Sequence, residues 1–342
     1  MDQELEEIRV VGEIEEEEEQ QQSNERREFR IFDIIETGNE IKGHRYFSSP
    51  SSLSPTSNKK IMQEWKILER NLPADSIYVR VYEERIDLLR AHEGLFFFDI
   101  QFPPDYPNVP PSVSYHSFGH RLNPNLYANG AVCPSLINTW AGLRKNEKWI
   151  PSQSTIFQVL LSIQGVVLNA KPYFNEPLYL LENLNPWKKK LTLDYNEKVF
   201  IKSCKAMVCV LNKPPNHFQE FVVDHFRNRA ETILNACKAY ISGHIQIGDH
   251  LVDATSTTAA TRKKGSKTTK IFQSLMGEFY PTLVKAFIKN GSPLESYQEL
   301  DKVDGISYTC LEELRWNNNG YCCYFILLFI ILCLVLKFVS DK

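Results

Sequence analysis

Asn123-Pro124-Asn125-Leu126-Tyr127-Ala128-Asn129-Gly130-Ala131-Val132-Cys133 is the stretch on which the reading of the fold turns. It shows neither the helical period nor the strict alternation of a half-buried strand. It lies inside an irregular segment from Ser117 to Ser154, roughly forty residues long. A loop of that length within a compact domain is either functional or a sign of misassigned elements, and here a functional loop is expected. It ends on a single thiol, Cys133. A lone cysteine is ordinarily a small buried hydrophobe, so what surrounds this one decides its role.

Upstream, Asn58 is a plausible helix cap, and Ile61, Trp65, Leu68 and Leu72 recur at helical spacing before Pro73 closes the helix. Short strands are expected at Ile77–Val81 and Ile86–Leu89. A stronger one runs from Leu95 to Phe102 with Phe96, Phe98, Ile100 and Phe102 on one face, and a fourth spans Val113–Tyr115. Downstream, Ile156, Val159, Leu160, Ile163 and Val167 mark a helix with a broad apolar face. Helix, antiparallel meander, long loop and helix predict an α+β domain. Two further helices are expected at about Tyr195–Leu211 and Pro215–Ser242, and an amphipathic one at Ile271–Ile288.

The quoted stretch resembles the active-site signature of ubiquitin-conjugating enzymes: His-Pro-Asn, seven residues, then the catalytic Cys preceded by an aliphatic residue. Asn125 to Cys133 has that spacing. Phe102-Pro103-Pro104-Asp105-Tyr106-Pro107-Asn108-Val109-Pro110-Pro111 is similar to the family's proline-rich turn. Trp149 and Pro151, then Pro172 and Glu176-Pro177, fall where the family has counterparts. The likeness covers about Asn58 to Asn212. Cys133-x-Ser-Leu-x-Asn-Thr-Trp140 and Lys171-Pro172-Tyr173-Phe174-Asn175-Glu176 resemble the large plant members and the hybrid conjugating-enzyme/ligase branch, which has Asn-Pro-Asn in place of His-Pro-Asn. Asn123 is then a branch feature.

The resemblance implies that Cys133 takes ubiquitin from the activating enzyme as a thioester and passes it to substrate lysines. A thiolate is the right nucleophile for that exchange, and thioester-for-thioester transfer is nearly isoenergetic. Asn125 would donate its amide to the oxyanion that forms when lysine attacks, or hold the loop in shape. Glu176 matches the family's acidic gate for the incoming lysine, or is a solvated acid. No general base is evident in sequence beside Cys133. Tyr106, Trp140 and Trp149 read as packing residues. No metal or bound cofactor is expected, ATP being consumed upstream by the activating enzyme. The implied partners are ubiquitin, the activating enzyme, a ubiquitin ligase and substrate proteins, with no nucleic acid.

Three departures from the family stand out. Against the family pattern about a dozen residues are missing where Ile86–Ala91 runs through His92-Glu93-Gly94 into Leu95, which predicts a stunted second meander strand and a less covered Phe96/Phe98 face. That keeps open a catalytically impaired ubiquitin-binding or scaffold variant, beside a carrier of another ubiquitin-like modifier. Asn108 replaces an aromatic residue that docks onto ligases. Pro134, directly after Cys133, removes a backbone donor.

Composition bounds the rest. The 342 residues are 43% hydrophobic and 24% charged, ordinary values, and the net charge of −3 argues neither for nor against a nucleic-acid partner. Residues 1–57 read as a disordered acidic and polar leader, with ten acids against one base between Asp2 and Glu19. The conjugating core follows at 58–212, a helical extension at 213–253, a basic linker at 254–270, and an amphipathic helix with a polar stretch at 271–316. The eight cysteines form no CxxC pair, which predicts free thiols and a cytosol-facing protein. From Tyr321 to Leu336 every residue is apolar or aromatic, and the run of about 19 through Val339 has the length of a membrane-crossing helix. Residues 317–342 are therefore expected to be a transmembrane tail, with the chain anchored in an intracellular membrane and Lys337 reaching to the interface.

Overall fold

The computed structural model describes residues 29–36, 39–74, 76–94, 96–138, 148–151, 153–169, 172–176, 188–243, 245–247, 268–294 and 297. Five strands form one sheet in chain order: β1 (Phe32–Ile35), β2 (Ile77–Tyr82), β3 (Leu88–Glu93), β4 (Phe96–Gln101) and β5 (Ser112–Tyr115). β2 to β5 are an antiparallel meander, while β1 adds in parallel to β2 with Phe32 opposite Val79. The expected α+β class is what forms.

The meander's phase follows the alternation in sequence. Val79, Val81, Leu89, Ala91, Phe98 and Ile100 turn to one face and join a core with Phe102, Tyr106 and Trp149. Against that face lies α1 (Pro55–Asn71), which presents Ile61, Trp65 and Leu68. Its cap is Ser54, not Asn58. The Ser54 side chain accepts from Ser57 N at 3.0 Å, and Pro55 occupies the first turn, where no amide donor is needed. Glu64 is fully buried: Lys60 Nζ lies 3.1 Å from one oxygen as an ion pair, and Ile156 N donates to the other at 3.1 Å. Ile156 opens α2 (Ile156–Ser162), which a π-turn extends through Val167. Its capping box pairs Thr155 with Gln158. Ile156, Val159, Leu160, Ile163 and Val167 are all buried in the core, as their spacing predicts.

The second meander strand is not stunted. The expected Ile86–Leu89 strand lies instead at Leu88–Glu93, six buried residues paired on both sides: Arg90 faces Arg80 on β2 and Asp99 on β4. A two-residue connection opened by Gly94, at φ +60°, joins Glu93 to Phe96. The polar residues His92 and Glu93, which read as a turn, are strand because other elements bury them.

Those elements seal the sheet's outer face. On it, Arg90 makes a two-pronged ion pair with Asp99 at 2.6 and 3.1 Å. Arg90 also donates to Gly43 O at 2.9 Å, and Arg45 N donates to Asp99 at 2.7 Å. The leader is thus not disordered through residue 57: Phe29–Ser49 supplies β1 and half of this cover. The other half comes from α4 (Gln219–Ile241), named with α3 (Lys188–Asn212) and α5 (Lys270–Lys289). Phe221 of α4 meets Tyr78 at 4.6 Å and His92 at 4.4 Å between ring centroids.

α3, α4 and α5 lie where helices were expected, and α5 buries an amphipathic face of Phe272, Met276, Phe279, Leu283, Val284 and Phe287. Thr269 caps α5 and donates twice to the buried Glu197 of α3, each at 2.6 Å. Cys133, Cys204 and Cys237 are free thiols, as expected of them. The apolar run 317–342 and most of the basic stretch 254–270 lie outside the described residues. Among the described residues no helix is long and apolar enough to cross a membrane.

Candidate functional site

The quoted stretch folds as a tight double-back against β5. Tyr127 N donates to Ala131 O and Gly130 N to Tyr127 O, both at 2.9 Å, and Leu126 bridges Val132. Gly130 makes this possible. Its φ is +89°, and a Cβ there would sit 2.8 Å from Ser114 Oγ and 2.9 Å from Tyr115 O. Buried Leu126 and Val132 peg the loop into the core. The Tyr115 hydroxyl donates to His120 O.

Cys133 leaves this loop as a partly exposed residue. The structure brings Asn125 directly to it. Cys133 N donates to Asn125 O at 2.9 Å, and Asn125 Nδ2 returns a bond to Cys133 O at 2.7 Å. The two residues therefore clamp each other through main chain and side chain. Pro134 caps the short 3₁₀ turn Ser135–Ile137, in extended conformation, and directs the chain away from the thiol.

A second layer holds the clamp. Asn123 Oδ1 accepts from Asn125 N at 3.0 Å and from Asn175 Nδ2 at 3.1 Å. Asn123 Nδ2 donates to Val167 O at 2.8 Å, and Asn175 Nδ2 reaches the same carbonyl at 2.7 Å. Asn169 donates to Asn175 Oδ1 at 2.5 Å. Asn123 is 3% exposed, so it is a structural tie between the loop and the end of α2 as well as a branch feature. The spacing alone revealed Asn125 and Cys133. Asn169 and the tying role of Asn175 are not legible in the spacing: Asn175 meets Asn123 from 52 residues away, and Asn169 only supports Asn175.

Glu176 follows Asn175 directly in the chain and feels the charge of Arg121. It is half-buried; burial raises its carboxyl above the ordinary range, while Arg121 pulls it back. Arg121 donates to Pro124 O at 2.9 Å and stacks over Tyr127 at 4.5 Å. His120 beside it is pushed down to about 4 by burial, then by Lys205 and Lys202 of α3. Tyr106 and Trp149 pack as expected, with Trp149 Nε1 donating to Pro107 O at 2.6 Å. Trp140 lies outside the described residues. Asn108 and Val109 stand exposed on the proline-rich turn. Among the described residues no cluster of His, Cys, Asp and Glu is placed to hold a metal ion.

Comparison with known proteins gives this arrangement relatives. Residues 91–200, which include Asn125, Cys133 and Glu176, match the family model "Ubiquitin-conjugating enzyme". An Arabidopsis thaliana protein named as ubiquitin-conjugating enzyme E2 38 is 44% identical over 78% of this chain and 82% of its own length. Another from the same plant, named as ubiquitin-conjugating enzyme E2 24, is 45% identical over 77% of this chain but 29% of its own. The human dual E2 ubiquitin-conjugating enzyme/E3 ubiquitin-protein ligase BIRC6 is 32% identical over 63% of this chain and 5% of its own. The chain thus spans well under two thirds of the length of several curated relatives it matches.

Proposed function

The chain belongs to the ubiquitin-conjugating enzyme family, and from that premise we propose that it is a working carrier whose Cys133 holds ubiquitin as a thioester and yields it to lysines. The observation that carries the reading is the reciprocal Asn125–Cys133 clamp, 2.7 and 2.9 Å, which presents a partly exposed thiol on a fixed loop. The Cys133 thiolate attacks the thioester carbonyl of activated ubiquitin and expels the activating enzyme's thiolate. A lysine amine then attacks the new thioester and expels the Cys133 thiolate. The half-buried Glu176 accepts the proton that the amine sheds, its raised pKa bringing it closer to the working range of a base. Asn125 steadies the loop through both steps.

The implied partners are ubiquitin, its activating enzyme and a ligase; the exposed Asn108 in place of an aromatic argues for a ligase contact unlike the common one. Residues 317–342 are proposed, on sequence alone, to attach the chain to a membrane. The impaired-scaffold alternative drew its force from a shortened strand, and β3 pairs fully with both neighbours. Incubation with activating enzyme, ATP and ubiquitin tests the reading on gels run with and without thiol. A thiol-sensitive adduct that turns thiol-resistant in Cys133→Ser supports it. No adduct with ubiquitin, but one with another modifier, would reassign the cargo; none with any would sink the carrier reading.

A further inference from the structure

The sheet has two edges, and the active-site loop closes one of them. At β5 the loop makes the bridge Ser114–Ala131, and Tyr115 N donates to Gly130 O at 2.9 Å. At the other edge stands β1, paired to β2 on its inner side. Val79 N donates to Ile31 O at 2.7 Å and Glu83 N to Ile35 O at 3.1 Å, so Ile31, Asp33 and Ile35 turn their main-chain groups towards β2. By alternation, the N–H and C=O of Phe32 and Ile34 point outward. Among the described residues no main-chain group pairs with them.

An edge in this state is a template for a further strand, and proteins ordinarily blunt it with Lys, Pro, a bulge or a cover. Phe32-Asp33-Ile34-Ile35 contains neither Lys nor Pro, and its register with β2 runs unbroken from Phe32 to Ile35. Phe32 packs against the core and fixes the strand. Ile34, on the same face, is 47% exposed.

The charges at the two ends of this edge suit a second copy of itself. Arg30 stands at the N-terminal end with its side chain 78% exposed. The exposed Glu36 and Glu83 stand at the C-terminal end. A two-fold axis through Asp33 runs two β1 strands antiparallel. Phe32 of each copy then lies opposite Ile34 of the other, and their outward amides exchange bonds. Each Arg30 arrives at the end where the other copy's Glu36 and Glu83 lie. The two Asp33 residues oppose each other across the axis, an unfavourable pair. Each of them is already matched by its own Arg30 at 3.4 Å.

We propose that two copies of the chain join edge to edge through antiparallel β1 strands, making one continuous sheet. A strand-to-strand contact this short belongs with the weak, reversible interfaces, those below about 1,200 Å². The claim does not depend on how Cys133 is used.

Disulfide trapping of the full chain in mild detergent tests it. Asp33→Cys puts a thiol on the axis, at a non-hydrogen-bonded pair whose Cα atoms stand about 4.5 Å apart, within reach of a disulfide. Under copper-catalysed air oxidation it should give a reducible dimer at least tenfold faster than Lys59→Cys, which is exposed on α1. Peptide mass spectrometry should place the link between the two positions 33. Adding Arg30→Glu should slow the trapping at least threefold, and adding Glu36→Arg to that should restore it. Ile34→Pro removes an outward amide that β2 does not use, so it too should slow trapping at least threefold, with the far-ultraviolet spectrum unchanged. Trapping no faster than at position 59 overturns the proposal. So does a rate that neither the charge reversals nor Ile34→Pro changes.

Discussion

Asn125 donates one amide proton to the carbonyl of Cys133, the proposed acyl carrier. Removing it opens a partly buried polar pair, which costs about 1 kcal/mol and loosens the thiol's support. Asn125→Ala should therefore slow both charging and discharge to free lysine, and lower the denaturant midpoint. Discharge slowed alone, with stability intact, would instead assign Asn125 to the oxyanion. At Gly130 the expectation is conformational: Gly130→Ala meets Ser114 and Tyr115 backbone at a left-handed φ, and should cost roughly 1 to 3 kcal/mol in chemical denaturation. Arg121 is the countercharge of Glu176, so Arg121→Gln should shift the acid limb of a lysine-discharge pH profile upward, since Glu176 then takes its proton at higher pH. An unmoved limb would remove Glu176 from the proton path. Spacing made Cys133 and Asn125 legible because the loop is local. The Asn123–Asn175–Val167 tie was not, since it closes only when α2 and the 172–176 turn come together.

Elements divide the same way. Phe98 and Ile100 alternate towards a core that α1 fills from nearby in sequence, so β4 and α1 were readable. β1 and the far end of β3 were not: Phe32–Ile35 pairs in parallel across forty-odd residues, and His92 is buried by Phe218 and Phe221, more than a hundred residues on. This cover has consequences. Phe221→Ala should cost about 2 kcal/mol, less than a fully buried Phe because the ring keeps some exposure. His92 is pushed down to about 3 by burial, then by His225, and so stays neutral in the fold. The unfolded chain binds that proton near pH 6.5, so stability is lost as pH falls from there towards 3. Between pH 7 and 5 the loss is roughly 2 kcal/mol from this group, and His92→Gln should flatten it in urea titrations at the two pH values. Glu93 acts on the other side. Burial raises it to about 8, so its cost grows as pH rises from about 4.5 to 8.

For the molecule as a whole, the folded part is more than the segment that matches the family model. α4 and α5 lie beyond residue 200, yet α4 closes the sheet and α5 is tied to α3 through Glu197. Residues 317–342 lie outside this described fold, and their sequence suggests a task of their own. A run of about 19 apolar residues is close to the 20 that span a bilayer's ~30 Å of hydrocarbon, and no polar face offers water an edge. The expectation is that the full chain, expressed in cells, stays with the membrane pellet through alkaline carbonate extraction. The chain lacking residues 317–342 should be found in the soluble fraction with its thiol still chargeable, because that thiol must meet a soluble activating enzyme. Release of the intact full chain by carbonate would sink the anchor. A truncated chain that no longer charges would show that the tail serves the domain itself, and that the two are one device.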